Sequence, residues 1–172
     1  MCHTMNEKTF SHRRNAVPAP LPCPTPPRRR ILVVEDDSNI RQLNSEVLTQ
    51  YGYHVVAAGD GAAAWKTLQL NGYDLLITDN EMPRVTGVDL LKKLHAAHLA
   101  LPVIMATEIP PLDEFTRCPW LLPAAMLTKP YTVDELLGTV REVLRETDSS
   151  IPQDALPPAS PKRSGPEDWF LL

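Results

Sequence analysis

Short, uninterrupted apolar runs alternate along this chain with stretches whose apolar residues recur at helical spacing. ILVV (31–34), YHVVAA (53–58), YDLLIT (73–78), LPVIMAT (101–107) and AAMLT (124–128) are the runs. A strand that is apolar at successive positions is buried on both faces, which is the condition of a parallel sheet covered by helices. Between the runs, Ile40, Leu43, Val47 and Leu48 recur on a helix, with Ser38 as its predicted N-cap and Gly52 as its stop. Ala62, Trp65 and Leu68 share a predicted helical face over 60–71, and Val88, Leu91 and Leu94 mark a third helix after Gly87. Thr132 and Glu135 form a capping box ahead of the stripe Leu136, Leu137, Val140, Val143 and Leu144. Alternation of this kind predicts βαβ units: an α/β fold with a five-stranded parallel sheet, doubly wound. One unit departs from the rhythm. Residues 108–123 contain Pro110, Pro111, Pro119 and Pro123, and proline inside a helix costs about 3 kcal/mol. The fourth helix is therefore expected to be atypical or shortened, confined at most to 112–118.

Charge and proline bound the folded part. Residues 1–30 carry a net charge of +5 and six of the chain's 18 prolines. Residues 148–172 carry −2 and five prolines. Neither segment has sustained periodicity, and both are expected to be disordered, because they offer too little apolar surface to offset the entropy of ordering. The domain is expected at 31–147, with a net charge of −7 against −4 for the 172-residue chain. Bulk charge thus argues against nucleic-acid binding. Cys2, Cys23 and Cys118 have no metal-ligand spacing. No apolar run approaches the ~20 residues that span a bilayer, and the first residues lack a secretory apolar stretch. A cytoplasmic protein with no membrane partner is expected.

The chemistry-bearing residues fall at the ends of the predicted strands, where open α/β sheets bind ligands. Strand one ends in Glu35 and Asp36, followed by Asp37; strand three in Thr78 and Asp79; strand four in Thr107; strand five in Thr128, Lys129 and Pro130. Hard carboxylate oxygens with open water positions suit Mg²⁺. A carboxylate beside such a metal can act as a nucleophile toward a phosphoryl group. A lysine and a hydroxyl can then hold the added oxygens. Each residue alone is ordinary for a loop; the weight lies in four matches in order at four strand ends.

ILVVEDD (31–37), LLITDNEMPRVTG (75–87), VIMAT (103–107) and TKP (128–130) make residues 31–147 resemble the receiver domain of bacterial two-component response regulators. The run from Asp79 to Gly87, D-x-x-M-P-x-x-x-G, is its most specific part. The resemblance implies the flavodoxin-like, CheY-like order of a five-stranded sheet. It implies Asp79 as phosphoacceptor, served by a histidine kinase or phosphotransfer protein. It implies Mg²⁺ held by Glu35, Asp36, Asp79 and the backbone carbonyl of Glu81. Thr107 and Lys129 would hold the phosphoryl oxygens, and the Lys129–Pro130 bond is typically cis in this family. A receiver is a signalling domain, with at most self-catalysed phosphotransfer and dephosphorylation.

Several residues depart from the family's pattern. Glu108 follows Thr107 where the family usually has a small residue, and it either narrows donor access or points to solvent. Met126 stands where many receivers carry Tyr or Phe; the plain expectation is a core residue. Phe115, Trp120, Leu121 and Leu122 add apolar surface to the proline-rich stretch, packed inward or left for a partner. No effector module such as a DNA-binding domain is legible after 147, so output is expected through protein contacts, from a stand-alone receiver. The alternative is a pseudo-receiver: an interaction scaffold with little or no phosphotransfer. A third reading, an aspartyl phosphohydrolase using Glu35 and Asp37, lacks the expected Asp nucleophile. Pro24, Pro27 and Arg29 match a loose PxxPxR pattern, Arg28–Arg30 form a basic cluster expected to be solvated, and His95 and His98 are expected at the surface. EDWFLL (167–172) is either untethered or a docking peptide for a partner or for the domain itself.

Overall fold

The computed structural model describes residues 28–149. The segments 1–27 and 150–172, with the PxxP prolines and EDWFLL, lie outside the described residues. Eleven elements run from Arg30 to Ser149: β1 (Arg30–Val34), α1 (Ser38–Gln50), β2 (His54–Ala58), α2 (Gly61–Leu70), β3 (Leu75–Asp79), α3 (Gly87–Ala96), β4 (Val103–Thr107), α4 (Leu112–Arg117), a 3₁₀ turn (Pro119–Leu121), β5 (Ala125–Thr128) and α5 (Val133–Ser149). All four strand pairings are parallel, and the sheet order is β2-β1-β3-β4-β5. The expected α/β fold is therefore formed, with the order reversing between β1 and β3.

The pleat sends alternate residues to opposite faces. Leu32, Val34, Leu76 and Met105 pack with α2, α3 and Phe115 of α4. Ile31, Val33, Ile77 and Ile104 pack with Leu48 of α1 and with Leu136, Leu137, Val140 and Val143 of α5. This is why these strands read as continuous apolar runs. The fourth helix is six residues long, as the prolines require, and the 3₁₀ turn with Pro119 at its start completes the crossover to β5. Phe115 and Leu121 point into the core, whereas Trp120 and Leu122 stay exposed.

The structure corrects four local expectations. Asp37, not Ser38, is the N-cap of α1; its carboxylate accepts from the backbone N–H of Asn39 and Ile40. On α1, Leu43 is exposed, and Asn44 takes the buried place beside Leu48 by donating to the Tyr131 hydroxyl at 2.9 Å. On α2, Ala64 rather than Ala62 is buried with Leu68. Met126, expected in the core, is 40% exposed, because β5 is the edge strand of the sheet. The basic cluster also proves to be partly built in. Arg30 opens β1 and lies over the Tyr73 ring, and its backbone N–H donates to Asp74. Arg29 pairs with both Asp74 and Asp148, tying the start of β3 to the last turn of α5. No helix among the described residues is long and apolar enough to cross a membrane.

Candidate functional site

The site forms where the sheet order reverses, at the carboxyl ends of β1, β3, β4 and β5. Asp79 is the last residue of β3 and is buried. Its Oδ1 accepts from the Glu81 backbone N–H at 3.0 Å, and its Oδ2 accepts from Lys129 Nζ at 2.7 Å. Glu35 follows β1, is 3% exposed, and takes a second bond from Lys129 Nζ at 2.9 Å. Carboxylate oxygens of Glu35, Asp36 and Asp79 all lie within 4.8 Å of one another. Three hard, anionic donors so close, with Asp36 open to solvent, fit Mg²⁺ in their chemistry.

Burial, which pushes the Glu35 carboxyl up, is the largest influence on it. Lys129 pulls it down and the nearby Asp79 charge pushes it up again, and its pKa comes to about 7. Burial opposes the charge on Lys129, but its bonds to Asp79 and Glu35 outweigh that and raise its pKa above the usual lysine value. The ammonium is therefore held charged between two carboxylates.

Local chain geometry places these groups. Gly87 lets the start of α3 press against the end of β3: a Cβ there would meet the Asp79 carbonyl oxygen at 2.5 Å. Thr86 and Asp89 complete a capping box at the same junction. Asn80 accepts from the backbone N–H of Gly87 through its carbonyl and of Val88 through its side chain. Lys129 is fixed by a bond from its backbone N–H to the Thr107 carbonyl at 3.0 Å and precedes a cis peptide to Pro130. Thr107 is fully buried, and its hydroxyl donates to the Ile109 carbonyl at 2.9 Å, so in this state it holds its own loop.

The sequence reasoning thus named groups that the fold brings together: Glu35, Asp36, Asp79 and Lys129, with the Glu81 backbone bonded to Asp79 and Thr107 at the neighbouring strand end. Asp37 is not one of them, since its carboxylate is spent on capping α1; this removes the acid the phosphohydrolase reading needed. Glu108 is exposed, yet it lines a cavity of about 530 Å³ with Lys129, Pro130, Tyr131 and Ile40. Arg41 was missed. Its guanidinium donates to the Glu35 and Asp36 carbonyls at 2.6 and 3.1 Å and braces the acidic loop. Its place in the first turns of α1, directly after that loop, was the available signal.

The family model for the response regulator receiver domain matches residues 31–141. The probable transcriptional regulatory protein SilR of Salmonella typhimurium is 32% identical over 127 residues, covering 74% of this chain and 56% of that protein. The transcriptional regulatory protein PdtaR of Mycobacterium tuberculosis is 33% identical over 113 residues, 65% of this chain and 55% of its own length. The chain thus spans about half the length of these curated relatives. Among solved structures, the receiver domain of the Francisella response regulator 1452 superposes with a TM-score of 0.64 at 28% identity, covering 70% of this chain and 99% of that one. The chemotaxis response regulator CheY4 of Vibrio cholerae gives 0.61 at 29% identity, covering 67% and 98%. This chain belongs to the response regulator receiver domain family.

Proposed function

We propose that this receiver domain is a phosphorylation switch in which Asp79 accepts a phosphoryl group from the phosphohistidine of a histidine kinase or phosphotransfer protein. The observation that carries the reading is the Lys129 ammonium bridging Glu35 and Asp79 inside a three-carboxylate cluster. An Asp79 carboxylate oxygen attacks phosphorus, the P–N bond breaks, and its electron pair returns to the imidazole nitrogen. Magnesium, held by Glu35, Asp36, Asp79 and the Glu81 carbonyl, would neutralise charge on the phosphoryl oxygens. Lys129 keeps the acidic groups together before transfer and exchanges Asp79 Oδ2 for a phosphoryl oxygen afterwards. Thr107 has one hydroxyl proton. To donate it to the phosphoryl group, the side chain gives up the Ile109 carbonyl, which frees the loop leading to Pro110 and Pro111. Output then runs through protein contacts on the faces this loop adjoins.

The test is phosphoryl uptake from acetyl phosphate with Mg²⁺, read by intact mass. Wild type is expected to gain about 80 Da, the mass of one phosphoryl group, only with the metal present, and Asp79→Asn is expected to gain nothing. The scaffold reading draws on Glu108 in the cavity that Lys129 lines, on Met126 and on the shortened α4. A folded wild type that takes up no phosphoryl group, and fails to bind beryllofluoride as well, decides for the scaffold.

A further inference from the structure

The rim opposite the acidic cluster, at the amino ends of the strands, carries a groove edged by exposed apolar side chains that no function above uses. A cavity of about 150 Å³ is lined by Leu68, Tyr73, Leu99 and Leu101. Leu99 and Leu101 also line a second cavity, of about 300 Å³, with Trp120 and Leu122. The two cavities adjoin at Leu99 and Leu101, which line both. Leu99, Trp120 and Leu122 are 42%, 53% and 59% exposed, and the Trp120 ring lies 4.2 Å from that of His95. An aromatic and two leucines left this open along one groove call for a covering group.

The Arg29 bridge shows where the described chain stops relative to this groove. It joins Asp148, in the last turn of α5, to Asp74, the neighbour of Tyr73. The chain therefore leaves α5 at the near end of the groove. Residues 150–166 then separate Ser149 from Glu167, and 17 extended residues reach up to about 56 Å. Strands lie about 4.8 Å apart, so β3 and β5 are roughly 10 Å from each other and the far end of the groove is within easy reach. The five prolines of 150–166 favour an extended link. After it in the sequence come Trp169, Phe170, Leu171 and Leu172, a dense apolar stretch preceded by Glu167 and Asp168. His95 in the last turn of α3 supplies a polar group in the groove wall.

We propose that residues 167–172 dock in cis onto this groove, with Trp169 and Phe170 set against Trp120 and Leu122. Tethering favours this occupant: a short link gives an effective concentration of order millimolar. A second copy is disfavoured by the charge of −7 that each domain carries over 31–147. The docked segment covers the amino-end rim of β4 and β5 and leaves the phosphoacceptor rim open.

Amide hydrogen exchange on the full-length protein tests this. Residues 167–172 are expected to exchange at least tenfold slower than their intrinsic rates. Trp169→Ser with Phe170→Ser is expected to remove that protection and to raise exchange at 99–101 and 120–124 several-fold. Trp120→Ala, at a position 53% exposed, is expected to release 167–172 to the same degree while the rest of the domain keeps its exchange protection. Protection must also be unchanged over a hundredfold dilution. Intrinsic exchange at 167–172 in the wild type overturns the proposal. So does protection that disappears on dilution, which assigns the groove to a second copy, or protection indifferent to Trp120→Ala, which places the segment elsewhere.

Discussion

At the scale of single residues, the site is a balance of charge in a small buried volume. Glu35 binds its proton more tightly in the folded protein, where its pKa is about 7, than in the unfolded chain, at about 4.5. Below 4.5 it is protonated in both states and adds no pH dependence. As the pH rises from there toward 7 the unfolded chain releases the proton first, so stability falls across this window and levels off above it. Urea melts of metal-free protein between pH 4.5 and 8 are expected to show that fall, and Glu35→Gln is expected to flatten it; an equal slope in the variant would refute the assignment. Glu108 acts from outside. Glu108 lines the cavity that Lys129 also lines, and a carboxylate there would repel an incoming anionic donor. Glu108→Ala is expected to speed phosphorylation by acetyl phosphate several-fold, and the gain should shrink as ionic strength rises. Equal rates for the two proteins would remove Glu108 as a gate.

At the scale of elements, glycine positions separate close approach from open surface. Gly87→Ala drives a methyl into the Asp79 carbonyl and is expected to cost about 1–3 kcal/mol in urea denaturation, the usual range for overpacking, while also slowing phosphoryl uptake. Gly138, in the interior of α5, has open space where a Cβ would stand, with no atom within 4 Å. Gly138→Ala is expected to stabilise by about 0.4–1 kcal/mol, because alanine loses less backbone entropy on folding. A stabilising Gly87→Ala would contradict the packing described at the β3–α3 junction. The elements themselves were legible in the sequence, because strands buried on both faces must be apolar at each position. The short α4 was legible too, since proline acts on the backbone it belongs to. Rotation of a helix about its axis was not. Spacing places Leu43 and Asn44 only about 100° apart, and Asn44 is buried because Tyr131, 87 residues away, accepts its bond. Arg29 was read as tail for the same reason, since Asp74 and Asp148 are its neighbours only after folding. The strand-end acids were legible because each stands at, or within two residues of, the end of an apolar run. The Thr107–Ile109 bond was not, because it depends on how the loop turns back.

At the scale of the whole molecule, a cation that binds the native acidic cluster and not the unfolded chain stabilises the fold by mass action. Magnesium at a hundred times its dissociation constant is expected to add about 2.7 kcal/mol, read as a rise in Tm that a chelator reverses and that Asp36→Asn largely removes. An identical Tm with and without the ion would oppose a magnesium site. The described residues also form two cores rather than one, since the sheet keeps the side chains under α2, α3 and α4 apart from those under α1 and α5. Leu94→Ala and Val143→Ala lie in different cores and their costs are expected to add to within about 0.5 kcal/mol. The sheet is in this sense a bulkhead. Four prolines can rewrite one compartment between 110 and 123 without disturbing the packing of the other, so each face of the domain is free to take on a new partner while its opposite keeps an old one.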